Sequence, residues 1–284
     1  MAYLQNINVF NNAVFQVASN HNTIEGIAVD KTPEQDPFYT TKYIFDNTQG
    51  PAASISAGFG AICRVYCANV SNSDKISPQI STREINLLDE FDDCFKVRNG
   101  YVEETFRNKK PSWDQLPLLK VGIHPNQKVY FGHIMQDGKI NLRDTSLHEQ
   151  HIHQVLCGAY NIGQGTAGTE NNKIDENDDY IRTKIISCGN YIGTFLTTSF
   201  LNSKKLVLTL LGGGVFKNPL DIIIGAIKYA FEEYWNNGYC SQLQHVYLPL
   251  FPNVKSVQGK QHFDEITHWF THHKIPYDVR YINH

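Results

Sequence analysis

The segment with the clearest chemical potential is a run of three glycines between an apolar stretch and a helix-forming stretch. Leu211 is followed by Gly212-Gly213-Gly214, and Asn218-Pro219 opens the next segment. Consecutive glycines let the backbone approach a ligand closely, and the free N–H groups at a helix start attract an anion. The spacing is neither G-x-x-x-x-G-K-[ST] nor G-x-G-x-x-G. The loop is predicted to bind phosphate, the alternative being a tight turn without a ligand.

A second loop of small residues has the same character. It follows Asp46-Asn47 and runs through Gly50 to Gly58 and Gly60, where a helix is predicted to start. If both loops lie at the carboxyl ends of neighbouring strands, they form one crevice with two sets of backbone donors. Such a crevice suits a diphosphate.

Acidic residues in two places could act as general bases or stabilise a cationic transition state. One group is Asp175, Asp178 and Asp179, and the other candidate is Asp46. The alternative for the first group is a solvated loop with a helix cap. The alternative for Asp46 is a structural role at a strand end.

Histidine and cysteine side chains offer two further kinds of chemistry. His148, His151 and His153 could share one face, but their order is not H-E-x-x-H, and a surface turn that enters a strand is favoured. The six cysteines lack C-x-x-C spacing and are interpreted as buried thiols. A nucleophilic role for Cys157 or Cys188 has no histidine partner identifiable in the sequence. Neither a metal ion nor a cofactor is expected.

The elements that must position these residues alternate between strands and helices. Apolar runs predict strands at residues 43–45, 153–157, 206–211, 246–248 and 277–281. Apolar residues at helical spacing predict helices over 181–195, from Pro219 to near Gly238, and over 263–272. Asp178 or Asp179 is predicted to cap the first of these helices, and Asn218 the second. This order favours an α/β fold with a largely parallel sheet.

The chain is predicted to fold as a single domain over residues 1–284, since no repeat or linker divides it. Residues 1–40 are polar and irregular and are expected to form an N-terminal extension. Residues 88–140 are expected to be an insertion. Within the insertion, residues 121–123 and 128–131 flank His124-Pro125-Asn126-Gln127, a pattern that predicts a hairpin.

The amino-acid composition excludes some classes of function. Hydrophobic residues make up 41% and charged residues 19% of the 284 residues, as in ordinary globular proteins. The net charge of −3 makes a nucleic acid a poor partner. The chain has no apolar run of about 18 residues and no secretory signal at its start. We therefore expect a cytoplasmic location and no membrane partner.

Both glycine-bearing segments resemble the macrodomain family. Phe45-Asp46-Asn47 followed by Gly58-Phe59-Gly60-Ala61-Ile62 is similar to the family's first binding loop, and the segment from Gly214 to Pro219 is similar to its second. The resemblance covers residues 43–67 and 155–251. It implies a three-layer α/β/α macrodomain-like fold with a mixed, largely parallel sheet and an insertion, and ADP-ribose as the ligand.

Carried over by position, the resemblance implies roles for individual residues. Asn47 would meet the distal ribose. The diphosphate would be held by backbone N–H groups of Gly213, Gly214, Val215 and Phe216, with the Phe216 ring against a ribose. The expected ligand-binding set also includes Gly50, Gly58, Gly60, Gly212 and Asn218.

The segment from Asn47 to Ala52 and the Leu-Leu-Gly-Gly-Gly-Val-Phe run look closer to a divergent branch of bacterial effector hydrolases that act on ADP-ribosylated ubiquitin. This resemblance implies hydrolysis of ADP-ribose from a modified protein, with ubiquitin as one carrier and the host cytosol as the location of an exported effector. The first loop lacks a continuous triple glycine, and the paired Gln-Glu-Glu of poly(ADP-ribose) glycohydrolases is absent, so cleavage of poly chains is not expected. The alternative is a non-catalytic ADP-ribose reader or sequestering module.

Overall fold

The computed structural model describes residues 1–26, 30–34, 49–70, 76–91, 93–103, 106, 108–134, 140–142, 149–162, 176–250, 257–272 and 278. The predicted strand at residues 43–45 lies outside these ranges, as does that at residues 277–281 apart from Asp278. The chain divides into two compact units, Met1–Leu248 and Pro249–His284. The single-domain prediction stays a prediction.

Among its described residues, the first unit contains five α-helices, eleven strands and three 3-10 helices. In chain order, the α-helices and strands are α1 (Ala2–Gln5), β1 (Val14–Ser19), α2 (Gln49–Ser56), α3 (Gly58–Tyr66), β2 (Ala68–Asn69), β3 (Ile76–Ser77), β4 (Val97–Arg98), β5 (Tyr101–Val102), β6 (Gly122–Lys128), β7 (Phe131–Ile134), β8 (Ile140–Leu142), β9 (His151–Gly158), α4 (Glu176–Phe200), β10 (Lys205–Val207), α5 (Leu220–Ala230) and β11 (His245–Tyr247). The 3-10 helices are Asn8–Phe10, Asp89–Phe91 and Trp113–Leu118. A π-helical turn, Phe231–Asn236, extends α5. The second unit contains α6 (Val257–His272), which confirms the predicted helix at residues 263–272. Ile266 and Trp269 are buried on α6.

The main sheet of the described residues has five strands in the order β11-β10-β1-β9-β6. The first four are mutually parallel, and β6 pairs with β9 in the antiparallel sense at the edge. Val14 of β1 pairs with Leu206 on one side and His153 on the other. The predicted α/β fold with a largely parallel sheet is confirmed, and the carboxyl ends of four strands point to one edge.

The central strand, β1, corrects the prediction that residues 1–40 form an extension. Its middle residue is Gln16, which is completely buried. The Gln16 side chain donates to Thr194 Oγ1 at 3.0 Å and accepts from the Thr209 N–H at 3.2 Å. A glutamine interrupts the apolar pattern in the sequence, but these hydrogen bonds satisfy the polar atoms of its side chain inside the core.

Helices cover both faces of this sheet. Phe15 and Val17 of β1 lie in an apolar cluster with Ala53 and Ala57, which belong to α2 and the residue that follows it. Gln16 points the other way, toward α4, because successive side chains of a strand face opposite sides. Helix α2 therefore covers one face and α4 the other, with α5 packed beside α4.

The helices predicted over residues 181–195 and after Pro219 are confirmed by α4 and α5. The loop of small residues predicted around Gly50 is wrong for residues 49–56, which form α2, although α3 confirms a helix near Gly60. Alanine is the best helix former and proline is tolerated in a first turn, so a run of small residues is compatible with a helix.

The hairpin predicted around His124-Pro125-Asn126-Gln127 is wrong, because the single strand β6 passes through it. The pairing with β9 shifts register between His124 and Gln127, and Asn126 has φ +51°. An edge strand tolerates proline, and a bulge absorbs the extra residue. This part of the predicted insertion therefore belongs to the main sheet.

Candidate functional site

The candidate site lies where β1, β9 and β10 end. The segments that leave these strands are residues 20–26, 159–162 and 208–219. The last two are joined directly, because the Ile162 N–H donates to the Phe216 carbonyl at 3.2 Å and the Asn218 amide donates to the Tyr160 carbonyl at 2.6 Å. Open parallel sheets bind ligands at this edge.

The loop predicted to bind phosphate forms a tight turn, and one side of this turn is exposed to solvent. Gly212 has φ +78°, and a Cβ there would lie 2.3 Å from Asn218 Oδ1, so the position requires glycine. Among the described residues, no heavy atom lies within 4 Å of a Cβ built on Gly214. Gly213, Gly214 and Val215 are exposed. The Gly213 N–H already donates to the Leu210 carbonyl at 3.1 Å, so its predicted role as a phosphate donor is wrong in this conformation, and the exposed backbone of Gly214 and Val215 is what a ligand can approach.

Asn218 has a different role from the predicted one. Pro219 occupies the cap position of α5, and the Asn218 side chain makes no cap hydrogen bond there. Instead it donates to the carbonyls of Tyr160 and Phe216, at 2.6 and 3.3 Å. Its Oδ1 is buried and has no hydrogen-bond partner in the described part of the chain. Asn218 thus fixes the loop after β10 to the loop after β9.

Helix α4 holds the ends of β9 and β10 with buried side chains. Asn190 donates to the Gly158 carbonyl at 2.7 Å. The Tyr191 hydroxyl donates to the Thr209 carbonyl at 2.6 Å and accepts from the Leu211 N–H at 3.1 Å. Here the backbone groups of Thr209 and Leu211 bond to the Tyr191 side chain instead of to a neighbouring strand. Strand β10 therefore ends at Val207, well before residue 211, where the predicted strand ended.

The loop after β1, Asn20-His21-Asn22-Thr23, lies at the same edge and is missed by sequence reasoning. Asn20 Nδ2, His21 Nε2 and Thr23 Oγ1 are buried without hydrogen-bond partners in the described residues. Thr23 also has φ +65°, which is unusual for a β-branched residue. Unsatisfied buried polar atoms and backbone strain are enriched at functional sites. The available sequence signal is a pair of asparagines just after a short apolar run.

His21 packs between the ends of β1 and β9. A Cβ on Gly158 would lie 2.6 Å from His21 Nδ1, so this glycine permits the close approach. Burial lowers the pKa of His21 to about 4, although a hydrogen bond to the backbone of Ala159 acts in the opposite direction. The imidazole is therefore neutral at pH 7.

Side chains from neighbouring segments hold the β1 loop in place. Arg64 of α3 donates its Nε–H to the Thr23 carbonyl at 3.0 Å, and Gln79 donates to the Asn22 carbonyl at 2.9 Å. Arg64 Nη1 also lies 3.0 Å from His124 Nδ1. Burial, and then the Arg64 charge, lower the pKa of His124 to about 4, so this histidine accepts the Arg64 hydrogen bond in its neutral form.

Glu84 is a carboxyl group at this edge that sequence reasoning also misses. It accepts hydrogen bonds from the Asn22 side chain, at 3.0 Å, and from the backbone of Asn99 and Gly100. Burial raises the pKa of Glu84, outweighing these hydrogen bonds. A carboxyl group with a raised pKa at the carboxyl edge of a parallel sheet is a candidate acid–base group.

The structure places Asp178 inside the protein. It lies in the first turn of α4, which begins at Glu176, so Asp178 is neither the cap nor solvated. Its Oδ2 accepts from Arg182 Nε at 2.7 Å, and both side chains are buried. Arg182 also donates to the carbonyls of Cys94 and Lys109. The ion pair lies within α4, and the two backbone hydrogen bonds of Arg182 join this helix to the segments around Cys94 and Lys109.

Asp179 is also buried in the first turn of α4, so the cap prediction is wrong for it too. It accepts from the Tyr160 hydroxyl at 2.8 Å, and the Tyr160 carbonyl in turn accepts from Asn218. A chain of hydrogen bonds therefore connects Asp179 to the glycine loop. Asp46, Asn47 and Asp175 lie outside the described residues.

The remaining glycines of the predicted set lie in helical backbone, Gly50 in α2 and Gly58 and Gly60 in α3. A Cβ on Gly60 would lie 2.8 Å from both His124 Nδ1 and Gln127 Oε1. The small size of Gly60 therefore allows α3 to pack closely on β6.

Cysteine and metal chemistry receive little support from the described residues. Burial raises the pKa of Cys157 to about 12 and that of Cys188 to about 11, so neither forms a thiolate readily. The buried-thiol prediction holds for four cysteines and is wrong for Cys63 and Cys67, which are exposed. The described ranges contain no group of three or more His, Cys, Asp or Glu that could hold a metal ion. His148 lies outside them.

Comparisons with protein-family models, with curated proteins and with solved structures give no match for this chain. None of the helices in the described residues is long and apolar enough to cross a membrane. The site itself combines an exposed glycine backbone, the start of an eleven-residue helix and a buried polar loop with a neutral histidine. Chemically, an exposed glycine backbone in a loop that leads into a helix can bind an anion.

Proposed function

We propose that this chain is a macrodomain-like protein that binds ADP-ribose at the carboxyl edge of its sheet and hydrolyses it from a modified protein. The observation that carries the proposal is the exposed Gly213-Gly214 backbone in the loop that leads into α5, which begins at Leu220. Backbone N–H groups and the positive end of a helix form a phosphate-binding arrangement. The open space above Gly214 leaves room for the diphosphate.

The sugar and base of ADP-ribose need hydrogen-bonding and stacking groups beside the phosphates. The buried polar atoms of Asn20 and His21 supply unsatisfied hydrogen-bonding capacity at the end of the neighbouring strand. Phe216 is half-buried, and its ring centroid lies 6.2 Å from that of Tyr101. This pair supports stacking of a ribose or base against Phe216, and Asn47 remains the proposed contact to the distal ribose.

Hydrolysis needs a carboxyl group near the anomeric carbon of the distal ribose. Asp179 and Glu84 are the described candidates connected by hydrogen bonds to the loops at this edge. Asp46 and Asp175 are retained as candidates from the sequence. The proposed substrate is an ADP-ribosylated protein, with ubiquitin as one carrier.

A non-catalytic ADP-ribose reader is the second candidate function. It is favoured by the burial of Asp178 and Asp179, because both accept structural hydrogen bonds. Carboxylates held in this way stabilise the fold. A reader requires no carboxylate that reaches the substrate.

Free ADP-ribose is expected to bind and to raise the melting temperature. A ligand at 100 times its Kd stabilises the folded state by about 2.7 kcal/mol. AMP should stabilise less, because it lacks the second phosphate and the distal ribose. Calorimetry and thermal unfolding measure both effects, and no binding of ADP-ribose at millimolar concentration would contradict the proposal. Incubation with mono-ADP-ribosylated protein then separates the two functions, because only a hydrolase releases free ADP-ribose.

Substitution of the catalytic carboxyl group is expected to slow ADP-ribose release by about 10² to 10⁴-fold, while the affinity for free ADP-ribose stays within a few-fold. The series is Glu84→Gln, Asp179→Asn, Asp175→Asn and Asp46→Asn. Asp178→Asn is the structural control, which should lower the melting temperature and leave the turnover of folded protein unchanged. Full activity in all four variants would place the catalytic group elsewhere.

A further inference from the structure

Two of the six cysteines, Cys63 and Cys67, are exposed and lie one turn apart at the end of helix α3. The Cys67 N–H donates to the Cys63 carbonyl at 2.8 Å, so the two residues lie on the same side of the helix. Cysteine is among the residue types most often buried in proteins. Two accessible thiols on one helical turn are therefore candidates for thiol chemistry.

The other four cysteines are poorly suited to such chemistry. All four are buried, and burial raises the pKa of each thiol, which keeps it protonated at neutral pH: Cys94, Cys157, Cys188 and Cys240. Exchange with a disulfide requires a thiolate that has access to the sulfur that it attacks. Among the six cysteines, only the pair on α3 has this access.

The end of α3 allows the two sulfur atoms to meet. Residues four apart in a helix have Cα atoms about 6 Å apart, within the range of about 4.4 to 6.8 Å that disulfides require. Their Cβ atoms are about 5 to 6 Å apart in a regular helix, which is more than the 3.5 to 4.5 Å of a typical disulfide. Cys67 has already left the helix, with φ −130° and ψ 34°, and β2 begins at the next residue. A disulfide therefore requires this last turn to rearrange, and its position at the helix end permits that.

The last turn of α3 also holds the β1 loop. Arg64 lies in this turn, is only 8% exposed, and donates its Nε–H to the Thr23 carbonyl at 3.0 Å. Gln79 donates to the Arg64 carbonyl at 2.8 Å and to the Asn22 carbonyl at 2.9 Å. A rearrangement of the turn therefore disturbs these two attachments of the β1 loop.

We propose that Cys63 and Cys67 form a reversible intramolecular disulfide by exchange with glutathione disulfide, and that this bond loosens the β1 loop. The inference is independent of the proposed function, because it concerns the loop and not its ligand. A disulfide that strains its surroundings is readily reduced again, so the bond acts as a switch.

The exchange proceeds in two balanced steps. The thiolate of one cysteine attacks a sulfur of glutathione disulfide, which forms a mixed disulfide and releases one glutathione. The thiolate of the other cysteine then attacks the protein sulfur of the mixed disulfide and releases the second glutathione. Two protein thiols lose two electrons, and one glutathione disulfide is reduced to two glutathione molecules, which carry the two thiol protons.

The first test counts thiols in the full chain after incubation in glutathione buffers of increasing oxidising strength, by alkylation of the denatured protein and mass spectrometry. The wild type is expected to lose two alkylation sites together, to retain no glutathione, and to recover both sites with dithiothreitol. Cys63→Ser and Cys67→Ser should each retain one glutathione, because the resolving thiol is missing. Cys188→Ala is the control and should behave like the wild type.

Three results of this test would overturn the inference. Thiols that stay reduced in every buffer would show that the exchange does not occur. One glutathione retained on each of the two cysteines would show that their sulfur atoms do not meet. A disulfide between two copies of the chain, seen as a dimer on a non-reducing gel, would replace the intramolecular bond.

The second test measures amide hydrogen exchange of the β1 loop in the reduced and the oxidised protein. The N–H groups of His21 and Thr23 donate to the carbonyls of Gly100 and Asn20, at 2.8 and 2.9 Å. Their exchange is expected to become about tenfold faster or more on oxidation, because the loop loses a hydrogen bond from a charged side chain of α3.

The control for this effect is the double variant Cys63→Ser with Cys67→Ser, in which oxidant should leave the exchange of the β1 loop unchanged. The amides of the central strand β1 should exchange at the same rate in the reduced and the oxidised wild type. Unchanged exchange of the β1 loop in the oxidised wild type would overturn the proposed link between the disulfide and this loop.

Discussion

A Gly214→Glu variant is expected to lose ADP-ribose affinity by about 100-fold or more while keeping a melting temperature close to that of the wild type. The fold should accommodate the side chain, because no described heavy atom lies within 4 Å of its Cβ. The new carboxylate would stand beside the proposed phosphate position. Two like charges about 5 Å apart repel by about 3 kcal/mol at an effective dielectric constant of 20. Calorimetry and thermal unfolding measure the two quantities.

Two glycine-to-alanine variants complete this experiment. Gly214→Ala should leave both affinity and stability close to wild type. Gly212→Ala should lower both, because its φ of +78° and the nearby Asn218 Oδ1 leave no room for a Cβ. Normal ADP-ribose binding by a folded Gly214→Glu variant would mean that the diphosphate lies elsewhere.

Replacing Arg182 by Met is expected to lower the free energy of unfolding by about 3 to 5 kcal/mol. The substitution leaves the Asp178 carboxylate buried without its cation, which lies at 2.7 Å in the wild type. It also removes the hydrogen bonds to the carbonyls of Cys94 and Lys109. Denaturant unfolding at pH 7 gives the value.

An exposed ion pair provides the comparison for Arg182. Lys120 contacts Asp89 at 2.7 Å on the surface, so Lys120→Met should cost at most about 1 kcal/mol. The double variant Arg182→Met with Asp178→Leu should recover part of the lost stability, since it removes the unpaired charge. A loss of less than 1 kcal/mol for Arg182→Met would show that Asp178 is not held as the structure indicates.

The elements that could be predicted from the sequence are those with a local signature. The helical spacing of apolar residues identified α4 and α5, and the apolar runs identified β9 and β11. Strand β1 escaped prediction because the polar Gln16 is satisfied by partners far along the chain, Thr194 and Thr209. No local pattern reports such a pairing.

The candidate site likewise has one part that could be predicted from the sequence and one part that could not. The glycine loop is visible in the sequence because its backbone demands glycine at Gly212. Glu84 and the loop from Asn20 to Thr23 become candidates only through the sheet order, which brings β1 between β9 and β10. The turn at Asn99-Gly100 has a local signature as well, since Asn-Gly between two short strands is a strong hairpin signal.

The central position of β1 has a consequence for how the protein is made. Val14 pairs with His153 and Leu206, so β1 must wait for partners that are synthesised much later. At synthesis rates of about 5 to 20 residues per second, this wait is on the order of ten seconds or longer. Contacts so distant in sequence also slow folding itself. The glycine loop therefore joins the β1 loop at the carboxyl edge of the sheet only when β10 docks, which makes assembly of the site a late step of folding.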